Sequence, residues 1–236
     1  MTGWGVLEER ISQRLRLSHG PVAVTFLDAE PENMTKFIGA EPSGCSFWRL
    51  AAEGRSFFTV PSDHFNCAVG SYTHNIDLSP ERALETEQTL AMMFRAGYIR
   101  LEEVPGIPRL AATPAVVAYS PLAETTVSPS VVLFACRPAS AMLLQESAIR
   151  AGKAATLPAL GRPTCMALPA ALSHGTVISL GCIGNRVYTG LGEEEIYVVV
   201  RGVDLTAVAD GLDIIASANT DLAAYAQGRR GQIATA

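Results

Sequence analysis

The chain has 236 residues, of which 48% are hydrophobic and 17% charged, so its composition is that of a globular protein. Its net charge is −5 and no long basic block is present, which argues against a nucleic-acid surface or an anionic-membrane surface. No apolar run approaches the roughly 18 residues of a membrane-spanning helix, and residues 1–16 lack the apolar core of a signal peptide. We therefore expect a cytoplasmic protein without nucleic-acid or membrane partners.

The first half of the chain alternates helical and extended patterns. Apolar residues recur at helical spacing near the N-terminus, which predicts an amphipathic helix over residues 4–17. Ser79-Pro80-Glu81 combines a capping hydroxyl, a proline at the first helical position and an acid in the first turn, and predicts the start of a second helix. Between them we predict a strand at 22–27, a loop at 28–33, a short helix after Cys45, a strand at 56–60 and a loop at 63–74.

An irregular stretch with three prolines, residues 104–114, is the best candidate for a seam between two halves. After it we predict strands at 115–120 and 131–136, helices at 140–151 and 164–173, a strand at 176–180, a turn at 181–192, a strand at 195–200 and a final helix at 204–227. The last residues, from 229 onward, are expected to fray. The pattern predicts an α+β fold in which short strands and helices interleave within a single domain.

Two stretches of the chain share one order of features, namely strand, cysteine, short helix, glycine, strand, cysteine, glycine and Tyr-Thr. The cysteines are Cys45 and Cys67 in the first stretch, and Cys165 and Cys182 in the second. The match lies in pattern more than in identity, and two copies are too few for a solenoid. We therefore predict two pseudo-repeated halves, at about residues 18–103 and 115–203, that pack as one globular unit.

A duplicated fold would bring its four cysteines together if the halves pack about a pseudo-twofold axis. Thiolates repel one another unless a cation or an iron–sulfur core lies among them, and four cysteines are the usual ligands of a [4Fe–4S] or [2Fe–2S] cluster. They also suit tetrahedral zinc. Because the chain has no Cys-x-x-Cys pair, thiols without a metal remain an alternative. Cys136 has no counterpart in the first half and is predicted to pack as a small hydrophobe.

The segment Gly181-Cys182-Ile183-Gly184-Asn185-Arg186 places a thiol between glycines at the end of a predicted strand. Glycine lets a backbone approach a ligand closely, so we predict that Gly181 and Gly184 bind the cofactor. Arg186 joins this set, because its guanidinium would balance the charge of a cluster or bind a small anionic substrate. The structural alternatives are a tight turn and a surface ion pair with the acidic residues 193–195.

His64 and His74 flank Cys67 in the predicted loop. A histidine there would replace one cysteine as a ligand or donate a hydrogen bond to a cluster sulfur. We predict this cofactor role for His64 and expect His74 to be a solvated loop residue. Cys45 and Cys165 each come at the start of a predicted short helix, where the helix dipole favours a thiolate, and burial in the core is the alternative for both.

Several segments resemble a widespread prokaryotic family, domain of unknown function 169. They are Pro21-Val22-Ala23-Val24, Gly44-Cys45 with Ala51-Ala52, Asn66-Cys67-Ala68-Val69-Gly70, and the run from Leu180 to Arg186. The similarity covers most of the chain. The resemblance implies that the cysteine pattern belongs to the fold, and it supplies neither substrate nor reaction.

These observations predict a soluble [4Fe–4S] protein with a redox or electron-transfer role, whose cluster is held by Cys45, Cys67, Cys165 and Cys182. Such a protein would act with a redox partner or on a small anionic substrate. The alternatives are a binding module for a small molecule or a tetrapyrrole such as haem, and a thiol-reactive protein without a metal. The apolar C-terminal helix is expected to pack within the chain or across a homodimer.

Overall fold

One antiparallel sheet of six strands organises the fold in the computed structural model, which describes residues 3–15 and 17–234. The strands are β1 (Val22–Leu27), β2 (Phe57–Thr59), β3 (Val116–Pro121), β4 (Val131–Cys136), β5 (Val177–Ser179) and β6 (Ile196–Arg201). Their order across the sheet is β2-β3-β1-β4-β6-β5. The predicted α+β class is confirmed.

Helices cover both faces of this sheet. They are α1 (Gly3–Arg14), α2 (Ser46–Ala52), α3 (Ala68–Thr73), α4 (Pro80–Arg95), α5 (Pro138–Arg150), α6 (Ala167–His174), α7 (Ile183–Thr189) and α8 (Leu205–Ala234). The helices α1, α5 and α8 pack on one face, and α2 and α6 pack on the other. Because successive strand residues point to opposite faces, β1 gives Val22 and Val24 to the α2–α6 core and Ala23 to the α1–α5–α8 core.

The two triplets of strands are arranged alike. Read outward from the centre of the sheet, β1-β3-β2 on one side matches β4-β6-β5 on the other. Val22, the first residue of β1, faces Pro121, the last residue of β3, and Val131 of β4 faces Arg201 of β6 in the same way. The equal lengths and registers are those of two halves related by a pseudo-twofold axis between β1 and β4.

Strand pairing divides the chain between β3 and β4. The strand β3 lies between β1 and β2, whereas the sequence-based halves place residues 115–120 in the second half. The difference arises because α4 and an irregular segment separate β3 from its partners along the chain, so the pairing is not visible in local patterns. The cysteines keep equivalent places, since Cys45 and Cys165 each lie twelve residues before the first residue of β2 and β5.

Two segments predicted as loop or turn contain short helices. Helix α3 lies within residues 63–74 and α7 within residues 181–192, and each begins directly after a cysteine. The prediction was wrong here because six or seven residues are too few to show a helical apolar period. The first helix ends at Arg14 instead of residue 17, and residue 16 lies outside the described residues.

Helix α8 is longer than predicted, because it continues to Ala234 through most of the segment expected to fray; residues 235 and 236 lie outside the described residues. Its N-terminal part is buried through Leu205, Val208 and Leu212. From residue 217 to residue 230 every residue is exposed, so the helix extends beyond the body of the protein. None of the helices described has both the length and the hydropathy to cross a bilayer.

Candidate functional site

Cys67 and Cys182 occupy equivalent positions, each as the residue that caps the N-terminus of a short helix. The Cys67 Sγ accepts the backbone N–H of Gly70 at 3.2 Å, and the Cys182 Sγ accepts the backbone N–H of Asn185 at 3.4 Å. A sulfur in this position satisfies an amide that the first turn of a helix leaves without an intrahelical partner. Each short helix therefore aims a backbone N–H group at the sulfur of its cysteine.

Cys45 and Cys165 are the buried pair, each with 5% of its surface exposed. Burial raises the pKa of the Cys45 thiol to about 12 and that of the Cys165 thiol well above its usual value. Both cysteines do come just before a helix, but the expected thiolate-favouring effect of the helix dipole is outweighed by desolvation. The pKa of Cys165 is raised further by the charges of Cys45, Cys67 and Cys182, and that of Cys45 by the charges of Cys67 and Cys182.

The four thiols therefore form one group, which the two halves build together. Helix α2, which follows Cys45, packs against α7, which follows Cys182. Helix α3, which follows Cys67, packs against the short 3-10 helix Thr164–Met166, which contains Cys165. The Cys165 thiol donates to the carbonyl of Val69 in α3 at 3.8 Å. Each buried thiol thus lies beside a helix of the opposite half.

The side chains do not form a finished metal site in the conformation described. Among residues 3–15 and 17–234, no three His, Cys, Asp or Glu side chains are placed so that together they hold a metal ion. All five cysteines are free thiols. The donor set itself, four thiols of which two receive backbone N–H groups, is the chemical set that iron–sulfur clusters use.

Cys136 lies away from this group, as its predicted role as a small hydrophobe requires. It is fully buried in the core of α1, α5 and α8, which covers the opposite face of the sheet from Cys45 and Cys165. Burial raises the pKa of its thiol to about 12. Cys136 is therefore a packing residue and a natural control for experiments on the other four.

The predicted cofactor residues of the second half surround Cys182 in different ways. The Arg186 guanidinium donates to the backbone carbonyls of Leu180, Gly192 and Glu195, so it ties together the loop around Cys182. Gly181 has a φ of +78°, a conformation that favours glycine, whereas a Cβ at Gly184 would meet no atom within 4 Å. The contacts of Arg186 are with backbone, and its role toward an anion or a cluster stays a prediction.

Both histidines near Cys67 are buried, with 1% of His64 and 2% of His74 exposed. The prediction of a solvated His74 is therefore wrong: the residue ends α3, and its ring packs at the edge of Phe26 with centroids 5.6 Å apart. The two imidazole rings lie 5.3 Å apart. Burial lowers the pKa of both, to about 4 for His74, so both are neutral at pH 7.

Sequence patterns missed several polar groups beside the thiols. Tyr119 is fully buried in β3, and its pKa is raised well above the usual value by burial and by the charges of Cys45, Cys67 and Cys165. The amide of Asn185 lies beside Cys45 and lowers the pKa of that thiol. By distance and angle, neither the Tyr119 hydroxyl nor the Asn185 amide has a hydrogen-bond partner among the described residues. In the sequence, Tyr119 lies within an apolar run and Asn185 directly precedes Arg186. Neither pattern indicates a residue that contributes to a site.

A groove of about 500 Å³ reaches the surface beside this group. It lies between α4 and the segments that flank two of the cysteines; its lining includes Glu41, Pro42, Asn66, Ala68, Arg82 and Glu85. Asn66 and Ala68 are the neighbours of Cys67 along the chain. The groove is therefore lined by the two residues on either side of Cys67 in the sequence.

Comparison with known proteins gives one finding about the whole chain. The family model of domain of unknown function 169, described as an uncharacterised ArCR, matches residues 10–211. No curated protein and no solved structure matches the chain. The matched residues include all six strands and the four grouped cysteines. Because the match covers most of the chain, this protein belongs to the family of domain of unknown function 169.

Proposed function

We propose that the chain binds a [4Fe–4S] cluster through Cys45, Cys67, Cys165 and Cys182, and that it functions in electron transfer or reductive chemistry. The observation that carries the proposal is that the Cys165 thiol lies within reach of the charges of the other three thiols, and the Cys45 thiol within reach of those of Cys67 and Cys182. Four such thiols would repel one another once ionised, and an iron–sulfur core removes that repulsion. When bound, the cluster would supply one-electron redox chemistry.

The surrounding groups support the same assignment. The backbone N–H groups of Gly70 and Asn185 already point at two of the sulfurs. The Tyr119 hydroxyl and the Asn185 side-chain amide are further donors beside the thiols. Hydrogen bonds to cluster sulfurs raise the reduction potential, so these groups would tune the cluster. Binding would require the four side chains to close together from their described positions.

The setting of the site suggests where the protein works. All five cysteines are free thiols, which fits a reducing compartment, so we place the protein in the cytoplasm. The groove beside Cys67 would admit a small substrate, and a redox partner would supply or accept the electron. Arg186, which lies one helical turn after Cys182, is the candidate counter-charge for a cluster or an anionic substrate.

The direct test is metal analysis of the full chain purified without oxygen. We expect about four irons and four sulfides per chain, with broad absorption near ~400 nm. A colourless protein that contains zinc would indicate a structural zinc site in place of the proposed cluster. An intense Soret band would favour the haem-binding module, and a metal-free protein with freely alkylated thiols would favour thiol reactivity.

Substitution of one ligand gives the sharper test. Cys182→Ser should abolish the colour and much of the stability gained from the cluster, because it removes one of four ligands and the sulfur that caps α7. Cys136→Ala is the control, since it removes a thiol from the core on the opposite face of the sheet, away from the four grouped cysteines, and it should keep its iron. A brown, fully loaded Cys182→Ser protein would contradict the assignment.

A second candidate is a small-molecule binding module without turnover. The buried polar atoms without partners, among them the Tyr119 hydroxyl and both atoms of the Asn185 amide, favour a polar ligand at the same place. It predicts saturable ligand binding to protein that contains neither iron nor sulfide.

A further inference from the structure

A cavity of about 1050 Å³ lies between the end of α1, the start of α5 and the middle of α8. These helices cover the face of the sheet opposite Cys45 and Cys165, so the cavity is separate from the thiol group. An antiparallel bridge between Leu17 and Cys136 holds the chain after α1 beside the start of α5. The lining is largely polar and includes Gln13, Arg14, Ser18, Arg137, Ser140 and Asn219.

The N-terminus of α5 lies at this cavity and has no side-chain cap. Arg137 is the capping residue, and its side chain accepts no hydrogen bond from the first turn. Pro138 has no N–H group, and the Ala141 N–H bonds to the Arg137 carbonyl at 3.0 Å. The donors left in the first turn are the N–H groups of Ala139 and Ser140, and both residues line the cavity. Such donors, at the positive end of a helix dipole, attract an anion.

The side chain of Ser140 gives a second, independent indication of a ligand. Only 7% of the residue is exposed, and it lines the cavity. Its hydroxyl forms no hydrogen bond within the described part of the chain. A buried hydroxyl without a partner costs free energy, which a ligand that accepts its proton would recover.

The charges around the cavity leave one arginine available to a ligand. The Asp213 carboxylate accepts from Arg10 at 2.6 Å and from Arg14 at 3.0 Å, and these guanidiniums hold its pKa below the usual value. The negative charge of Asp213 is therefore compensated within the protein. Arg137 pairs with Glu194 at 3.2 Å, and both side chains are exposed, so this ion pair is weak and readily exchanged for a bound anion.

The size and the apolar part of the cavity indicate an organic ligand. Leu17, Leu143 and Ala216 contribute apolar surface to the lining, and the volume far exceeds that of a single carboxylate or phosphate group. Sites for small molecules combine apolar surface of this kind with a few polar groups that fix the orientation of the ligand.

We propose that this cavity binds a small organic acid through its carboxylate or phosphate group. That group accepts hydrogen bonds from the N–H groups of Ala139 and Ser140 and from the Ser140 hydroxyl, and Arg137 supplies the counter-charge. Asp221 lines the same cavity, is exposed and has no ion pair among the described residues, so its charge opposes the anion. The site goes beyond the proposed function, because it lies on the other face of the sheet and needs no cluster.

The test is calorimetric titration of the full chain with benzoate and with phenyl phosphate, combined with backbone ¹H–¹⁵N spectra. We expect saturable binding of at least one of the two, and the tighter one tells a carboxylate site from a phosphate site. Benzyl alcohol, which has the same ring and no charge, should not bind. The backbone amide signals of Ala139 and Ser140 should shift on binding, because these groups donate to the anion.

Substitutions in the cavity separate its parts. Ser140→Ala removes the buried hydroxyl and Arg137→Gln removes the counter-charge, and each should weaken binding about tenfold. Asp221→Asn should tighten binding, because it removes the opposing charge. Ser147→Ala is the matched control on α5, since its hydroxyl donates to the Leu143 carbonyl and Ser147 does not line the cavity, and it should bind like the wild type.

Circular dichroism and thermal unfolding check that the variants fold. The proposal fails if neither anion binds, if benzyl alcohol binds equally well, or if the amide signals that shift lie outside the start of α5. It also fails if Ser140→Ala and Arg137→Gln both bind as tightly as the wild type. Loss of binding in Asp221→Asn would overturn it as well, because the cavity would then hold a cationic group.

Discussion

Gly70 and Asn185 occupy equivalent positions three residues after a cysteine, and each donates its backbone N–H to the cysteine sulfur. The two residues differ because their surroundings differ. A Cβ at Gly70 would lie 3.0 Å from the Cys67 Sγ, whereas Asn185 places its side-chain amide beside Cys45. Single residues thus decide how closely backbone and sulfur approach in each half.

Gly70→Ala should reduce cluster loading, because the new methyl group would push the Cys67 Sγ away from its backbone donor. Gly44→Ala is the matched control, since its Cβ would make only ordinary contacts of 3.8 Å in the same region. Iron and sulfide analysis of both variants checks the expectation. Equal loading in the two proteins would show that the Gly70 contact does not position the thiol.

At the scale of elements, α8 depends on close packing against α5. A Cβ at Gly211 on α8 would lie 2.7 Å from the Ser147 carbonyl on α5, so the two helix backbones meet where no side chain fits. Arg10 and Arg14 of α1 add ion pairs to Asp213 of α8 at 2.6 and 3.0 Å. These ion pairs are partly exposed and contribute little to stability. The packing of α8 against α5 therefore contributes more to the position of α8 than the ion pairs do.

Gly211→Ala should lower the free energy of unfolding by about 1–3 kcal/mol, because the methyl group forces α8 away from α5. Gly228→Ala lies on the same helix with nothing within 4 Å, and it should raise helix stability by up to about 1 kcal/mol. Denaturant unfolding of both variants measures the difference. Two variants of equal stability would mean that α8 can shift without cost.

At the scale of the whole molecule, the two strand triplets meet at β1 and β4, and the thiol group lies on one face of that junction. Cys45 and Cys67 come from one half, and Cys165 and Cys182 from the other. A cluster bound there would join the halves, so its loss would weaken the whole fold and not one segment. The exposed end of α8 takes no part in this junction.

Deletion of residues 222–236 should change the free energy of unfolding by less than about 0.5 kcal/mol. Residues 222–230 are all exposed, so their loss removes no contact with the core. Iron content should stay the same. Denaturant unfolding and light scattering on both chains provide the measurement, and the molar mass reports whether the full chain forms the homodimer expected from sequence. A large loss of stability would show that the end of α8 packs against the protein.

Local patterns in the sequence by themselves determined the α+β class, most strands and long helices, and the membership of four cysteines in two similar stretches. Periodicity and caps reveal these features because they depend on neighbours along the chain. They also revealed that Cys136 differs from the other four. The short helices α3 and α7 were not predicted, since each is capped by a cysteine sulfur and has no apolar stripe in its sequence.

Only the tertiary structure decided which segments lie together. It placed β3 beside β1 and β2, buried His74, and gave Arg186 three backbone carbonyls as partners. The physical reason is that strand pairing, burial and the direction of a hydrogen bond depend on residues far apart in the chain. Local periodicity carries no information about which distant surfaces will meet.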